Sequence, residues 1–189
     1  SAAQMRVLGD GNRARFSSFT VGALGLQAAE SLMRVMHRAV GDELPQGWDH
    51  QISEGGEPTF RYVQAKQWLI GDQDNRSAAK PELKLTVSGS AGYLTEGSIA
   101  LSGRWGRIQS PWWSFAPELG DYTAAPVTPV TRFSSHNPAE VFAFAGIRVK
   151  ARAYNALLQG QFRHSDVRAG SDDLARIQAE AWMGLASTW

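Results

Sequence analysis

The sequence contains no cysteine, which excludes several kinds of site at once. Disulfide frameworks, thiolate zinc sites and cysteine nucleophiles all need a residue that is absent. An excess of one charge is also missing, because 19 Lys and Arg stand against 18 Asp and Glu, for a formal net charge of +1. A chain balanced in this way has no global field that would attract nucleic acid. With 43% hydrophobic and 20% charged residues, the composition is that of a folded protein.

Long hydrophobic runs are lacking as well. The longest, VFAFAGI at 141–147, is far shorter than the ~18 apolar residues that a membrane-spanning helix needs. The chain starts at Ser1 without an initiator Met, so we expect that a signal peptide has been removed or that the N-terminal part is missing. A length of 189 residues predicts a single domain, 1–189.

Alternation of apolar and polar residues indicates β-strands. In 141–153 the odd positions are all apolar, whereas the even positions become cationic at Arg148, Lys150 and Arg152. The same alternation recurs in 83–91, 99–105 and 175–185. We place strands near 12–22, 58–70, 82–92, 94–106, 140–154, 155–164 and 174–187. Turns are predicted at Gly92-Tyr93 and Tyr154-Asn155, and loops at 71–80 and 107–139.

The length of these strands and the composition of their faces favour a membrane protein. Strands of globular proteins average ~5–6 residues, whereas tilted membrane-spanning strands need ~9–11. One face is built from small apolar residues and the other carries charge, which is typical of an outer-membrane β-barrel. Tryptophans near the strand ends would suit aromatic girdles: Trp68, Trp105, Trp112 and Trp113. From periodicity alone, a soluble antiparallel sheet with its polar face in water stays an equal alternative.

A short helix is predicted near 24–40, where the β pattern is interrupted. Leu24, Ala28, Leu32, Val35 and Ala39 recur at helical spacing and define its buried stripe. Gly41 is the expected stop. His37 lies off that stripe, close to the end of the helix.

His37 and Glu43 are the candidate catalytic pair. A His in the last helical turn is favoured by the helix dipole alone, and a lone His is more often structural than catalytic. Glu43, just beyond the helix, could orient the imidazole or bind a hard cation. The spacing is not that of a zinc helix, and the remaining histidines are isolated: His50, His136 and His164.

Other catalytic signatures are absent. The sequence has no G-x-S-x-G elbow, and Gly9-Asp10-Gly11 lacks the strand, helix and Lys of a phosphate-binding loop. The cationic positions Arg148, Lys150, Arg152 and Arg163 could bind phosphate. We favour the interpretation that most of them balance acidic residues in a solvated barrel lumen.

Four parts of the sequence resemble the lipid A 3′-O-deacylases of the bacterial outer membrane. The first three are Gly22-Ala23-Leu24-Gly25, then His37, then Gly47-Trp48-Asp49-His50-Gln51 followed by Glu54. The last lies within 142–160, with Phe144-Ala145-Gly146 and the run from Asn155 to Gly160. The resemblance extends from about residue 17 to the C-terminus. Its most specific part is the block from His37 to the Gly-Trp-Asp motif.

The resemblance implies a calcium-dependent esterase built into a twelve-stranded antiparallel barrel. Such an enzyme would act at the barrel wall, near the outer leaflet, and remove the 3′ acyloxyacyl group of lipid A. His37 matches the family's catalytic general base. Glu43 matches its essential acidic residue, as a Ca²⁺ ligand or as the group that orients the His37 ring. The implied partners are lipopolysaccharide and outer-membrane lipids, with no nucleic acid, and the protein would be a monomer.

Seven predicted strands are fewer than twelve, and a bilayer does not tolerate open sheet edges. We therefore expect a partial barrel of seven or eight strands, truncated at its N-terminus and followed by at least one more strand. A non-catalytic barrel or lipid-binding scaffold of the same fold remains the alternative to the esterase.

Overall fold

The computed structural model describes residues 1–24, 27–41, 57–70, 81–122, 140–159 and 175–188. Its strands are β1 Ala2–Leu8, β2 Arg13–Leu24, β3 Glu57–Ile70, β4 Glu82–Gly92, β5 Leu94–Arg107, β6 Glu140–Asn155 and β7 Ile177–Thr188. The helices are α1 Gln27–Val40 and the single turn α2 Ala156–Gln159, and two 3-10 turns span Trp112–Ser114 and Pro117–Tyr122.

The seven strands form one antiparallel sheet in the order of the sequence, each strand paired with the next. In the described part of the chain this sheet does not close, because β1 and β7 have no pairing between them. Within the same residues, no helix is long and apolar enough to cross a membrane.

The alternation predicts the two faces of the sheet correctly. The outer face exposes large apolar side chains, among them Leu101 (43% exposed), Ile147 (59%) and Met183 (86%). The inner face buries polar and charged side chains, including Lys84, Arg104 and Arg148. A sheet with an apolar outer face and a polar inner face is the arrangement of an outer-membrane barrel wall, as the sequence predicts.

The predicted strand at 155–164 is wrong in its described part. Strand β6 runs to Asn155, and the chain then makes the helical turn α2. The Asn155 N–H donates to Gln159 Oε1 at 2.8 Å, and the Ala156 N–H donates to the Tyr93 carbonyl at 2.8 Å, so neither N–H is available to continue the strand pairing. The partner of β6 is β7, and residues 160–164 lie outside the described residues.

Strand β1 was not predicted from the sequence. It pairs along its whole length with β2, from Ala2 opposite Phe19 to Leu8 opposite Arg13. The connecting turn uses two glycines with positive φ, Gly9 at 61° and Gly11 at 85°. The residues of β1 do not alternate strictly between apolar and polar, so the pairing with β2 decides their conformation.

Helix α1 ends where predicted, since Gly41 follows it with a φ of 72°. The predicted buried stripe is wrong at its C-terminal end. Val35 is 62% exposed, and Ala39 is exposed as well. The side chains of Leu24, Ala28 and Leu32 lie outside those described.

The first half of the predicted loop 107–139 is an ordered segment on the inner face. We call residues 108–122 the strap; residues 123–139 lie outside the described part. Ala116 and Leu119 of the strap pack against Phe16, Val63 and Ala65, and together these form the apolar core of the inner face. Trp112, predicted for an aromatic girdle, is instead buried in the strap, where its Nε1 donates to the Gly11 carbonyl at 2.8 Å.

Candidate functional site

The antiparallel order brings one end of each of the seven strands toward the edge of the sheet that α1 adjoins. Leu24 pairs with Glu57 there, and Leu94 pairs with Asn155. Helix α1 begins three residues after β2 ends, so it belongs to this edge, which we call the helix edge. His37 lies in the last turn of α1 and is half-buried. His37 therefore lies in the helical connection that leaves the sheet at this edge.

The pairing of His37 with Glu43 is not tested by the structure, because Glu43 lies outside the described residues. His50, His136, His164 and the Gly-Trp-Asp motif at 47–49 fall outside them too. Among the residues that the structure does describe, no three His, Asp or Glu side chains form a cluster that could hold a metal ion. The calcium site stays a prediction.

A cleft of about 480 Å³ opens at the helix edge. It is lined by Pro58, Thr59, Phe60, Gly92, Tyr93, Thr95, Tyr154 and Ala156. Three aromatic rings make this lining largely apolar, and its size falls within the range of about 300–1,000 Å³ for small-molecule sites. The cleft can therefore accept an apolar chain beside the strand ends.

Backbone hydrogen bonds hold the wall of this cleft. The Tyr93 N–H donates to the Phe60 carbonyl at 2.9 Å, and the Tyr93 carbonyl accepts from the Ala156 N–H at 2.8 Å. Gly92, with a φ of 131°, passes so close to Phe60 that a Cβ would overlap the Phe60 carbonyl oxygen. The turn between β4 and β5 is thus tied to β3 on one side and to α2 on the other.

An ion-pair network lies beneath the cleft on the inner face. Glu96, 4% exposed, accepts from Arg61 at 3.2 Å and from Arg152 at 2.9 Å. The Arg61 guanidinium also lies 5.7 Å from the centre of the Tyr93 ring, in range of a cation–π contact. Two arginines around one carboxylate satisfy the buried charge and fix the side chains next to Tyr93.

A second network explains the cationic positions of β6. Arg148 and Lys150 both pair with Glu180 on the neighbouring strand β7. The predicted balance by acidic residues is confirmed for Arg148, Lys150 and Arg152, but Arg148 and Lys150 are each only 5% exposed, so the predicted solvated lumen is wrong at these two positions. Arg163 lies outside the described residues.

Sequence reasoning missed the polar residues that hold the strap. Glu118 and Glu140 are almost fully buried, at 2% and 1% exposed, and so is Gln67 of β3. Glu118 lies in a Pro-containing stretch without alternation, and nothing in its sequence neighbourhood distinguishes it from a loop residue in water. Only the fold brings it onto the inner face.

The chain matches the family model described as "Outer membrane protein LpxR" over residues 5–189. Among solved structures it is similar to LpxR from Salmonella typhimurium, with a TM-score of 0.66 and 14% sequence identity. The similarity covers 96% of this chain and 58% of the Salmonella chain. At this identity the likeness is one of fold. A comparison with curated protein sequences finds no match.

Proposed function

Because this chain belongs to the outer membrane protein LpxR family, we propose that it serves in the outer membrane as a calcium-dependent esterase acting on the 3′-O-linked acyloxyacyl group of lipid A. The observation that carries this proposal is the family match itself, which includes α1 with His37 and all of the strands from β2 to β7. The apolar outer face of the sheet supports a place in the bilayer beside a lipid substrate.

In this proposal His37 acts as the general base. A neutral imidazole takes a proton from water, and the water oxygen attacks the ester carbonyl carbon. The tetrahedral intermediate then breaks its bond to the sugar oxygen, which takes a proton and leaves as the alcohol, while the acyl group leaves as the carboxylic acid. The half-buried position of His37 at the end of α1 is compatible with this role.

Glu43 is proposed as a Ca²⁺ ligand or as the group that orients the His37 ring. A bound Ca²⁺ would supply Lewis-acid polarisation of the ester carbonyl. Both assignments come from the family resemblance, and neither adds a step to the chemistry of His37 above.

The lining of the cleft at the helix edge is an argument for a substrate with an acyl chain. Phe60, Tyr93 and Tyr154 offer an apolar surface of the kind that an acyl chain prefers. A lipid-binding scaffold without catalysis is the second candidate function, because the same cleft would bind an acyl chain in the absence of hydrolysis.

The test is release of fatty acid from purified lipopolysaccharide, measured by mass spectrometry, with Ca²⁺ and with a chelator. We expect release only with Ca²⁺, and we expect His37→Ala to lower the rate by about 10²–10⁴-fold, the usual contribution of a general base. His136→Ala is the matched control, because it removes a His that belongs to none of the sequence blocks shared with the family, and it should leave the rate unchanged. Full activity of His37→Ala would refute the base assignment, and binding of lipid without any release would support the scaffold.

A further inference from the structure

We propose that the strap is a built-in plug that covers the polar inner face of the sheet and keeps water and solutes away from it. The strap comprises residues 108–122, between β5 and β6. It is held at three places by buried groups on five different strands, β2 to β6. This inference rests on the described contacts and not on the esterase activity.

Glu118 is the central anchor of the strap. Its Oε1 accepts from Gln67 Nε2 at 2.8 Å and from the Thr86 hydroxyl at 2.9 Å, and it pairs with the Lys84 ammonium at 2.8 Å. All four side chains are at most 6% exposed. Since a buried carboxylate and a buried ammonium each need a partner, removal of Glu118 would leave Lys84 charged without its counter-ion.

Two backbone carbonyls of the strap accept hydrogen bonds from cationic side chains of the sheet. Lys84 Nζ donates to the Phe115 carbonyl at 2.7 Å, and Arg148 Nη1 donates to the Glu118 carbonyl at 2.7 Å. The inner-face cations therefore bind the strap as well as acidic side chains. The strap thus supplies hydrogen-bond partners that water would otherwise have to supply to the polar inner face.

The start of the strap is anchored at the opposite end of the sheet from α1. Glu140, the first residue of β6, accepts from the Ser110 N–H and from the Ser110 hydroxyl, both at 2.7 Å. Arg104 donates to the Ser110 hydroxyl at 2.8 Å and to its carbonyl at 2.7 Å, while its Nε binds Glu82 at 2.6 Å. Four hydrogen bonds from two side chains, Glu140 and Arg104, thus hold Ser110 on the inner face.

The far end of the strap is anchored by apolar packing. Leu119 is 0% exposed and packs against Phe16, Val63 and Ala65 of β2 and β3. From Ser110 beside β6 to Leu119 beside β2, the strap crosses the concave side of the sheet. An exit of this segment would expose both an apolar core and several buried charges, so the docked position is strongly preferred.

Cysteine labelling tests this plug, because the sequence has no native cysteine to interfere. The reporter is Ala65→Cys, placed at an inner-face position that is 1% exposed beneath Leu119. In detergent-solubilised protein we expect a membrane-impermeant maleimide to label this cysteine slowly. Adding Glu118→Ala and Leu119→Ala should raise the labelling rate by about tenfold or more, through local opening of the strap.

Glu96→Gln is the matched control. It alters another buried carboxylate of the inner face, whose arginine partners Arg61 and Arg152 belong to the sheet, so the reporter should stay protected. Circular dichroism checks that each variant keeps its sheet; if the double variant does not, Glu118→Gln takes its place with the same expectation of faster labelling. Rapid labelling of Ala65→Cys with the strap intact, or no change when its anchors are removed, would overturn the proposal.

Discussion

Two glycines of the inner face are needed because aromatic rings lie over them. Gly146 of β6 is directly opposite Trp182 of β7, and Phe144 is directly opposite Gly184. A Cβ on Gly146 would overlap the Trp182 indole, and one on Gly184 would lie 2.6 Å from Phe144 Cζ. Each strand therefore contributes one glycine and one ring. A ring that covers a glycine compensates for the packing that the missing side chain cannot provide.

Replacing Gly146 should for this reason destabilise the protein. Gly146→Ala forces the Trp182 ring to move, and we expect the free energy of unfolding to fall by about 1–3 kcal/mol, the usual cost of overpacking. Urea unfolding in detergent, followed by tryptophan fluorescence, measures the change. Gly89→Ala is the control, since a Cβ there meets only the Glu96 carbonyl at 3.9 Å. An equal effect at both positions would show that the Trp182 contact is not the cause.

At the scale of elements, the strap differs from an ordinary inter-strand loop. It contributes two fully buried apolar residues, Ala116 and Leu119, and its Phe115 ring makes edge contacts with Phe142 at 5.2 Å and Phe144 at 4.8 Å between ring centres. The strap is therefore part of the folded core, and its packing should contribute to the stability of the whole sheet.

Leu119→Ala tests that contribution. Truncation of a fully buried Leu leaves a cavity, and we expect the free energy of unfolding to fall by about 2–5 kcal/mol. Leu101→Ala is the control, because Leu101 is 43% exposed on the outer face of β5 and should cost clearly less. Chemical unfolding in the same detergent gives both values. Equal losses would mean that the strap does not pack as described.

At the scale of the whole molecule, the apolar outer face determines whether lipid or water is the better surrounding for the sheet. Ile147 lies near the middle of β6 and is 59% exposed, whereas Ile177 is the first residue of β7 and is 73% exposed. In a bilayer Ile147 would lie close to the midplane and Ile177 close to an interface. In water the two positions would be equivalent.

Arginine substitutions distinguish these environments. Ile147→Arg should lower the free energy of unfolding in lipid vesicles by about 2–4 kcal/mol, while Ile177→Arg should lower it by only about 0–1 kcal/mol, because the penalty depends on depth. Folding in vesicles at increasing urea concentration measures both. Similar small costs at the two positions would indicate that the outer face does not contact lipid.

Local pattern predicted most of the sheet but not all of its elements. Strict alternation located β3 to β6 within one or two residues and assigned their faces, because each side chain of a strand points away from its neighbours. It failed for β1, which depends on pairing with β2, and at 155–164, where hydrogen bonds of Asn155 and Ala156 end the strand. Both failures concern contacts that alternation does not encode: the pairing of β1 with β2, and the hydrogen bonds from Asn155 to Gln159 and from Ala156 to Tyr93.

The sequence by itself determined the apolar outer face, the polar inner face, the end of α1 at Gly41 and the family to which the chain belongs. These follow from residue periodicity, from one glycine and from motifs that are short in sequence. Only the tertiary structure decided that 108–122 lies on the inner face, with Glu118 between Lys84, Gln67 and Thr86. That position depends on partners that lie 32 to 51 residues away from Glu118 in sequence, which a local pattern cannot bring together.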